Sequence, residues 1–115
     1  MTPPDTPRTL SPRLETRIAW ILLLLGRRTL HGYALIRELE AHGVVADPPA
    51  MYRTLRKLED DGWVSSSWTE SEIGPRRRAY RITPAGRKGL RELAEVIAAT
   101  RDIHDAFLRG YEAAA

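Results

Sequence analysis

No cysteine occurs among the 115 residues. That removes disulfides, thiolate metal sites and thiol nucleophiles, and fits a reducing, cytoplasmic setting. The longest apolar run, Ile18 to Leu25, is eight residues, far below the roughly 20 that span a bilayer, so no membrane partner is expected. His31, His42 and His104 are not spaced as metal ligands and have no carboxylates at useful intervals, so no metal or other cofactor is expected. Asp102, His104 and Asp105 invite a triad reading, but no serine is placed to complete it. A glycine-rich phosphate loop is also missing, and an enzyme is not expected. Met1 to Pro12 carries four prolines and no apolar segment, so it is no secretory signal, and a flexible tail is expected over residues 1–11.

What remains is an ordinary small domain with unevenly placed charge. A chain of this length buries about 65% of its unfolded surface. Hydrophobic content of 43% and charged content of 29% argue against disorder. From Pro48 to Arg91 there are ten basic residues and five acidic ones, net +5, whereas the whole chain carries only +3. Positive charge is thus concentrated in one region, where a polyanion is the expected partner.

That region opens on the stretch around which the chain is organised, DPPAMYRTLRKLEDDGWV, from Asp47 to Val64. Asp47 is an N-cap type, Pro48 and Pro49 suit a first turn, and Gly62 suits a left-handed stop. At about 100° per residue Met51, Leu55 and Leu58 share one face, while Arg53 points away from them with Arg56 and Lys57 beside it and Tyr52 on the flank. Trp63 to Thr69 and Ala79 to Thr83 read as two strands. Between them lie a Gly74-Pro75 turn signal and three arginines, Arg76, Arg77 and Arg78, expected at the hairpin tip. A basic-faced helix followed by a basic hairpin is the element order of a winged helix-turn-helix. The helix would fit a major groove about 12 Å wide, and the tip a minor groove.

Two helices precede this unit. Pro12 to Leu25, capped by Ser11 and closed by Gly26, carries Ile18, Ile21, Leu22 and Leu25 on an apolar face that Trp20 and Leu24 widen, so burial on more than one side is expected. Thr29 and Leu30 allow a single bridging strand. Gly32 to His42 is read as carrying Tyr33, Ile36, Leu39 and Leu35 inward, with Gly43 as its cap and a short turn into the basic helix. Thr83-Pro84 then starts a last helix, from Ala85 to about Tyr111, in which Gly86 and Gly89 each cost about 1 kcal/mol and call for tertiary support. Leu90, Leu93, Ile97, Thr100, His104, Phe107 and Tyr111 alternate at spacings of three and four. This is a heptad seam longer than one domain can cover, and it predicts a dimer arm. The fold class expected is mainly α with a small β-hairpin: a winged helix-turn-helix over residues 12–83 and a dimerisation helix over 84–115.

These residues resemble the PadR family of bacterial transcriptional regulators. The matching pieces are the ILLLL segment ending at Leu25, LHGYALIREL from Leu30, MYRTLRKLEDDGWV from Met51 and GPRRRAYRITPAGR from Gly74. Where the family usually has a small residue or glycine before the recognition helix, this chain has Asp47-Pro48-Pro49. The resemblance implies a homodimer formed through a C-terminal helix and repression at a pseudo-palindromic operator. It also implies response to a small aromatic or amphipathic effector.

The candidate DNA contacts are Ala50, Tyr52, Arg53, Arg56, Lys57, Arg76, Arg77 and Arg78, and the candidate dimer contacts are Leu90, Leu93, Ile97, His104, Phe107, Leu108 and Tyr111. Trp20, Phe107 and Tyr111 are candidates for an effector pocket. Each set has a plainer reading. The basic trio can be a solvated helix face, the arginines a solvated tip, and the aromatics core or interface packing. His31 is read as structural. A winged-helix protein-interaction module is the alternative function, but it has no need of arginines on both groove-facing elements. Retention on heparin that falls with salt separates the two.

Overall fold

The structure, a computed structural model, describes residues 11–70, 74 and 76–114. The expected tail and most of the hairpin tip lie outside the described residues. The elements are α1 (Ser11–Arg27), β1 (Leu30–His31), α2 (Gly32–Ala41), α3 (Pro48–Asp60), β2 (Val64–Thr69), β3 (Arg77–Ile82) and α4 (Pro84–Ala114). The three strands form an antiparallel sheet in the order β1-β3-β2, with Leu30 opposite Tyr80 and Val64 opposite Ile82.

Each helix of the N-terminal unit turns its apolar stripe to one core. Ile21, Leu22, Leu24 and Leu25 of α1 meet Leu35, Ile36 and Leu39 of α2, and Met51, Leu55 and Leu58 of α3; Val64 and Tyr80 close the core from the sheet. Burying a side chain of this size is worth about 1.5–3 kcal/mol relative to exposure, so this cluster holds the helices in place.

The turns around α3 follow from its sequence. Gly43 and Gly62 have φ of +81° and +80°. The N–H of each bonds back to a carbonyl three residues earlier, Glu40 and Glu59, and the next residue's N–H reaches Leu39 and Leu58. This paired arrangement ends a helix sharply, and only glycine takes the left-handed position without steric cost.

At Trp63 three elements are fastened together. Its N–H closes the end of α3 on Leu58, and its carbonyl accepts from the Thr83 N–H at 3.1 Å. The Thr83 hydroxyl donates to the Gly62 carbonyl at 2.6 Å and accepts from the Gly86 N–H at 3.0 Å, capping α4. A Cβ on Gly86 would lie 2.1 Å from the Trp63 carbonyl oxygen, and one on Gly89 2.7 Å from the Trp63 ring. The two glycines that weaken the start of α4 are therefore what allows it to pass over Trp63.

Several expected boundaries move. The first helix continues through Gly26 to Arg27, since Gly26 has no positive φ. The second strand starts at Arg77, so Arg77 and Arg78 belong to β3 and not to the tip. Tyr33, expected inward, is 68% exposed. The buried stripe of α2 is Gly32, Leu35, Ile36 and Leu39, and Tyr33 stands about 100° off Gly32, outside it. The last helix runs the full 84–114. Leu90 and Leu93 pack on the core, whereas Ile97, Ile103, Phe107, Leu108 and Tyr111 are exposed. Ile103 was not part of the expected seam.

The glycines of α4 make a paired prediction. Gly86→Ala should destabilise by about 2 kcal/mol or more, an overpacking clash against backbone. Gly110→Ala faces open space and should stabilise by up to about 1 kcal/mol through helix propensity. Urea unfolding of both variants measures this, and equal effects would refute the close-approach role of Gly86.

Candidate nucleic-acid interface

The recognition-type helix is α3. The Asp47 carboxylate accepts from the Ala50 N–H at 3.2 Å, and Pro48 and Pro49 fill its first two positions. Thr54 is buried with Met51, Leu55 and Leu58. Its hydroxyl donates to the Ala50 carbonyl and accepts from Arg17 of α1, both at 3.1 Å. The opposite face is open. Tyr52, Arg53, Arg56 and Lys57 are exposed and Ala50 is half-buried, with Lys57 ion-paired to Asp61 at 3.2 Å.

A shallow groove of about 360 Å³ places Arg53 and Lys57 beside Arg17. Sequence reasoning missed Arg17. It is one polar residue on a helix read for its apolar face, and only the packing of α1 on α3 brings it to this groove.

The hairpin carries a second cationic group, arranged differently from a simple basic tip. Trp68 stands across from Arg78 in the strand pairing and is 54% exposed. The guanidinium groups of Arg76 and Arg78 lie 5.3 and 5.2 Å from its ring centre, within cation–π range. Arg78 also donates to the Ser66 hydroxyl at 2.7 Å, which donates to Glu59 of α3 at 2.6 Å, with Arg78 itself 3.6 Å from Glu59. Of the three arginines, Arg78 is tied back to α3, while Arg77 in the strand and Arg76 at its edge face solvent. Trp68 has no periodic signature in the sequence that would have separated it from a core tryptophan.

The hairpin is joined to the helix-turn-helix at the tip end of its strands as well. Thr69 donates its hydroxyl proton to the Arg77 carbonyl at 3.1 Å. His31 Nε2, 2.8 Å from the same hydroxyl, is therefore the donor to it. The structural reading of His31 holds.

Residues 21–92 match the model of the Transcriptional regulator PadR-like family. The chain belongs to this family. Its members are transcriptional regulators, not enzymes. A transcriptional regulator of Mycobacterium tuberculosis is 44% identical over 63 residues, 55% of this chain and 58% of that protein; the match thus spans little more than half of that relative's length. The crystal structure of a PadR family regulator from Eggerthella lenta superposes with a TM-score of 0.76 at 30% identity, covering 84% of this chain and 85% of that one. Bacillus subtilis PadR, solved in complex with operator DNA, has the same fold at a TM-score of 0.61 and 24% identity, over 67% of this chain and 45% of that chain.

In this PadR-like chain the three candidate effector residues are not in one place. Trp20 stacks on His42, with ring centres 4.3 Å apart, and borders an apolar groove of about 410 Å³ between α1 and α4 with Leu23, Leu90, Ala94 and Ile97. Phe107 and Tyr111 stack on each other at 6.3 Å, further along α4, and do not line that groove.

Tyr80 lies on β3 opposite Ser66, and its phenol is held protonated above the ordinary value of 10.0. Burial is the main cause; Arg78 opposes it and Tyr52 adds to it. Above pH 10 the unfolded chain releases this proton before the folded one, so folding stability should fall as pH rises through that window. In an alkaline absorbance titration one of the four tyrosines should ionise late. Tyr80→Phe should abolish that late step, and a late step that persists in this variant would assign it elsewhere.

Proposed function

We propose that the chain is a sequence-specific DNA-binding repressor of the cytoplasm. On this reading it acts as a homodimer on a pseudo-palindromic operator and is released by a small aromatic or amphipathic effector. The observation that carries this reading is the two-sided character of α3. Met51, Leu55 and Leu58 are buried, while Arg53, Arg56 and Lys57 stand exposed beside an arginine-bearing hairpin. The operator complex of the B. subtilis relative supports it, because the fold is shared.

In this scheme residues 12–83 read DNA and α4 pairs two copies. Phosphate contacts from the basic residues position the helix, and bidentate contacts to base edges give specificity. Ile97, Phe107, Leu108 and Tyr111, with His104 between them, form the exposed side of α4 that a second copy would cover, while Leu90 and Leu93 begin the seam. A two-fold pair sets its recognition helices about 34 Å apart, one turn of DNA. Trp20, on the α1–α4 groove, would join Phe107 and Tyr111 only across such a pair.

Arg53→Ala should cost about 1–3 kcal/mol on the cognate operator and much less on random DNA. Replacing Arg76 and Arg77 by alanine should instead lower the slope of log affinity against log salt by about 0.9 per lost phosphate contact, with sequence preference kept. Fluorescence anisotropy over a salt series separates them. Equal loss for Arg53→Ala on both DNAs would make it a phosphate contact, and an unchanged slope would remove the hairpin from the interface.

Stopping the chain after Ala94 keeps Leu90 and Leu93 against the core and removes the exposed arm. The product should be monomeric by light scattering, indifferent to half-site spacing and reduced to non-specific affinity of about 10⁻⁴–10⁻⁶ M. A truncated chain that remains dimeric would move the interface to another surface, such as α1.

A further inference from the structure

Two kinds of contact hold α3, and they constrain it differently. Met51, Leu55 and Leu58 press it on the core, but apolar burial is non-directional and tolerates rotation of a helix about its own axis. Asp47 at one end and Trp63 at the other fasten main-chain groups. In the middle of the helix a directional side-chain bond arrives from α1. Arg17 Nη1 donates to the Thr54 hydroxyl oxygen at 3.1 Å, across 37 positions of the chain.

Thr54 is arranged to receive that bond. It is 8% exposed, and its hydroxyl proton is already committed to the Ala50 carbonyl one turn earlier. This fixes the side chain and leaves a lone pair for Arg17. Arg53 and Lys57 line the same groove as Arg17 and Thr54. The rotation of α3 at this point therefore sets the direction in which those two cations leave the surface.

Arg17 stands there against an electrostatic cost. It is half-buried and makes no ion pair among the described residues. Arg53 and Lys57 repel it across the groove, and the carboxylate that lines the groove, Asp61, is paired with Lys57. An apolar residue would pack against Leu14 and Ile18 without that repulsion. Stability alone does not account for an arginine at this position, whereas a directional bond to α3 does.

We propose that Arg17 is a positioning residue for DNA reading: its bond to Thr54 fixes the rotation of α3, so that Arg53 and its neighbours meet base edges in hydrogen-bonding geometry. The inference rests on the DNA-binding reading above and deepens it. A base contact needs donor and acceptor about 2.7–3.2 Å apart and well aligned. A phosphate contact is dominated by charge and tolerates a looser helix. Loss of the bond should therefore reduce discrimination between sequences and leave charge-driven binding in place.

Three substitutions separate the bond from charge and volume. Thr54→Val removes the acceptor and keeps shape and every charge, Thr54→Ser keeps the hydroxyl, and Arg17→Met removes the donor from the other side. Urea unfolding and light scattering check that each variant keeps its fold and oligomeric state. Affinity is measured on a duplex that the wild type enriches from a random-sequence pool, and on an unselected duplex of equal length. The ratio of the two should fall about two- to tenfold for each half-site in Thr54→Val and in Arg17→Met, the range of one hydrogen bond. It should keep its wild-type value in Thr54→Ser. Combining Arg17→Met with Thr54→Val should lower the ratio no further than either alone. The salt slope of Thr54→Val should be unchanged, since no charge is lost.

A ratio that survives both Thr54→Val and Arg17→Met would overturn the proposal and leave the DNA reading standing. Losses that add in the combined variant would do the same. If Arg17→Met weakens binding equally on both duplexes, with a shallower salt slope and no effect of Thr54→Val, Arg17 is a phosphate contact and not a positioning residue. A wild type that enriches no sequence would overturn the DNA reading, and this proposal with it.

Discussion

The placement of every other element depends on the corner where Trp63 meets Thr83. A single main-chain bond from Thr83 to the Trp63 carbonyl joins the end of α3, the base of the hairpin and the start of α4. The Thr83 hydroxyl bridges Gly62 to Gly86 across the same point. These bonds are half-buried or exposed, and each contributes about 0.5–1.5 kcal/mol net. The direction in which α4 leaves the domain is therefore coupled to the axis of α3. In a dimeric regulator this corner would translate the geometry of the arm into the separation of two recognition helices.

A second consequence of packing is that the basic surface is sorted into roles. Arg53 and Arg56 stand free on α3. Lys57 is paired with Asp61, and Arg78 is divided between Trp68, Ser66 and Glu59. An exposed ion pair contributes about 0–1 kcal/mol, so these links matter less for stability than for holding the hairpin against α3. The His31–Thr69–Arg77 relay fixes the same hairpin from its other side. Two fastenings, one to Glu59 of α3 and one to His31 of β1, tie the hairpin to the helix-turn-helix.

Much of this was legible because it is local. Asp47, Pro48 and Pro49 define a helix start through groups within one turn, and Gly43 and Gly62 define stops through a backbone conformation that other residues avoid. The 3.6-residue period picked out Met51, Leu55 and Leu58 correctly, and the arginines opposite them follow from the same geometry. Tyr33 was misplaced because an aromatic next to an apolar stripe is not distinguishable by type from one within it, and the stripe of α2 runs through Gly32 instead. Gly26 was read as a stop because glycine permits one, although nothing there requires a positive φ.

The amino-acid sequence alone determined the order of elements, the two-faced character of α3, the concentration of positive charge and the PadR family, since all of these are set by residues near one another in the chain. Only the tertiary structure decided which arginines remain free, that Arg17 stands beside Arg53, and why α4 tolerates Gly86 and Gly89. It also decided that Tyr80 and Trp68 line one cleft with the hairpin arginines. These depend on contacts between residues 17 and 54, 59 and 78, or 63 and 86. Separations of that size have no periodic signature, because the chain between them is free to take any path that the core allows.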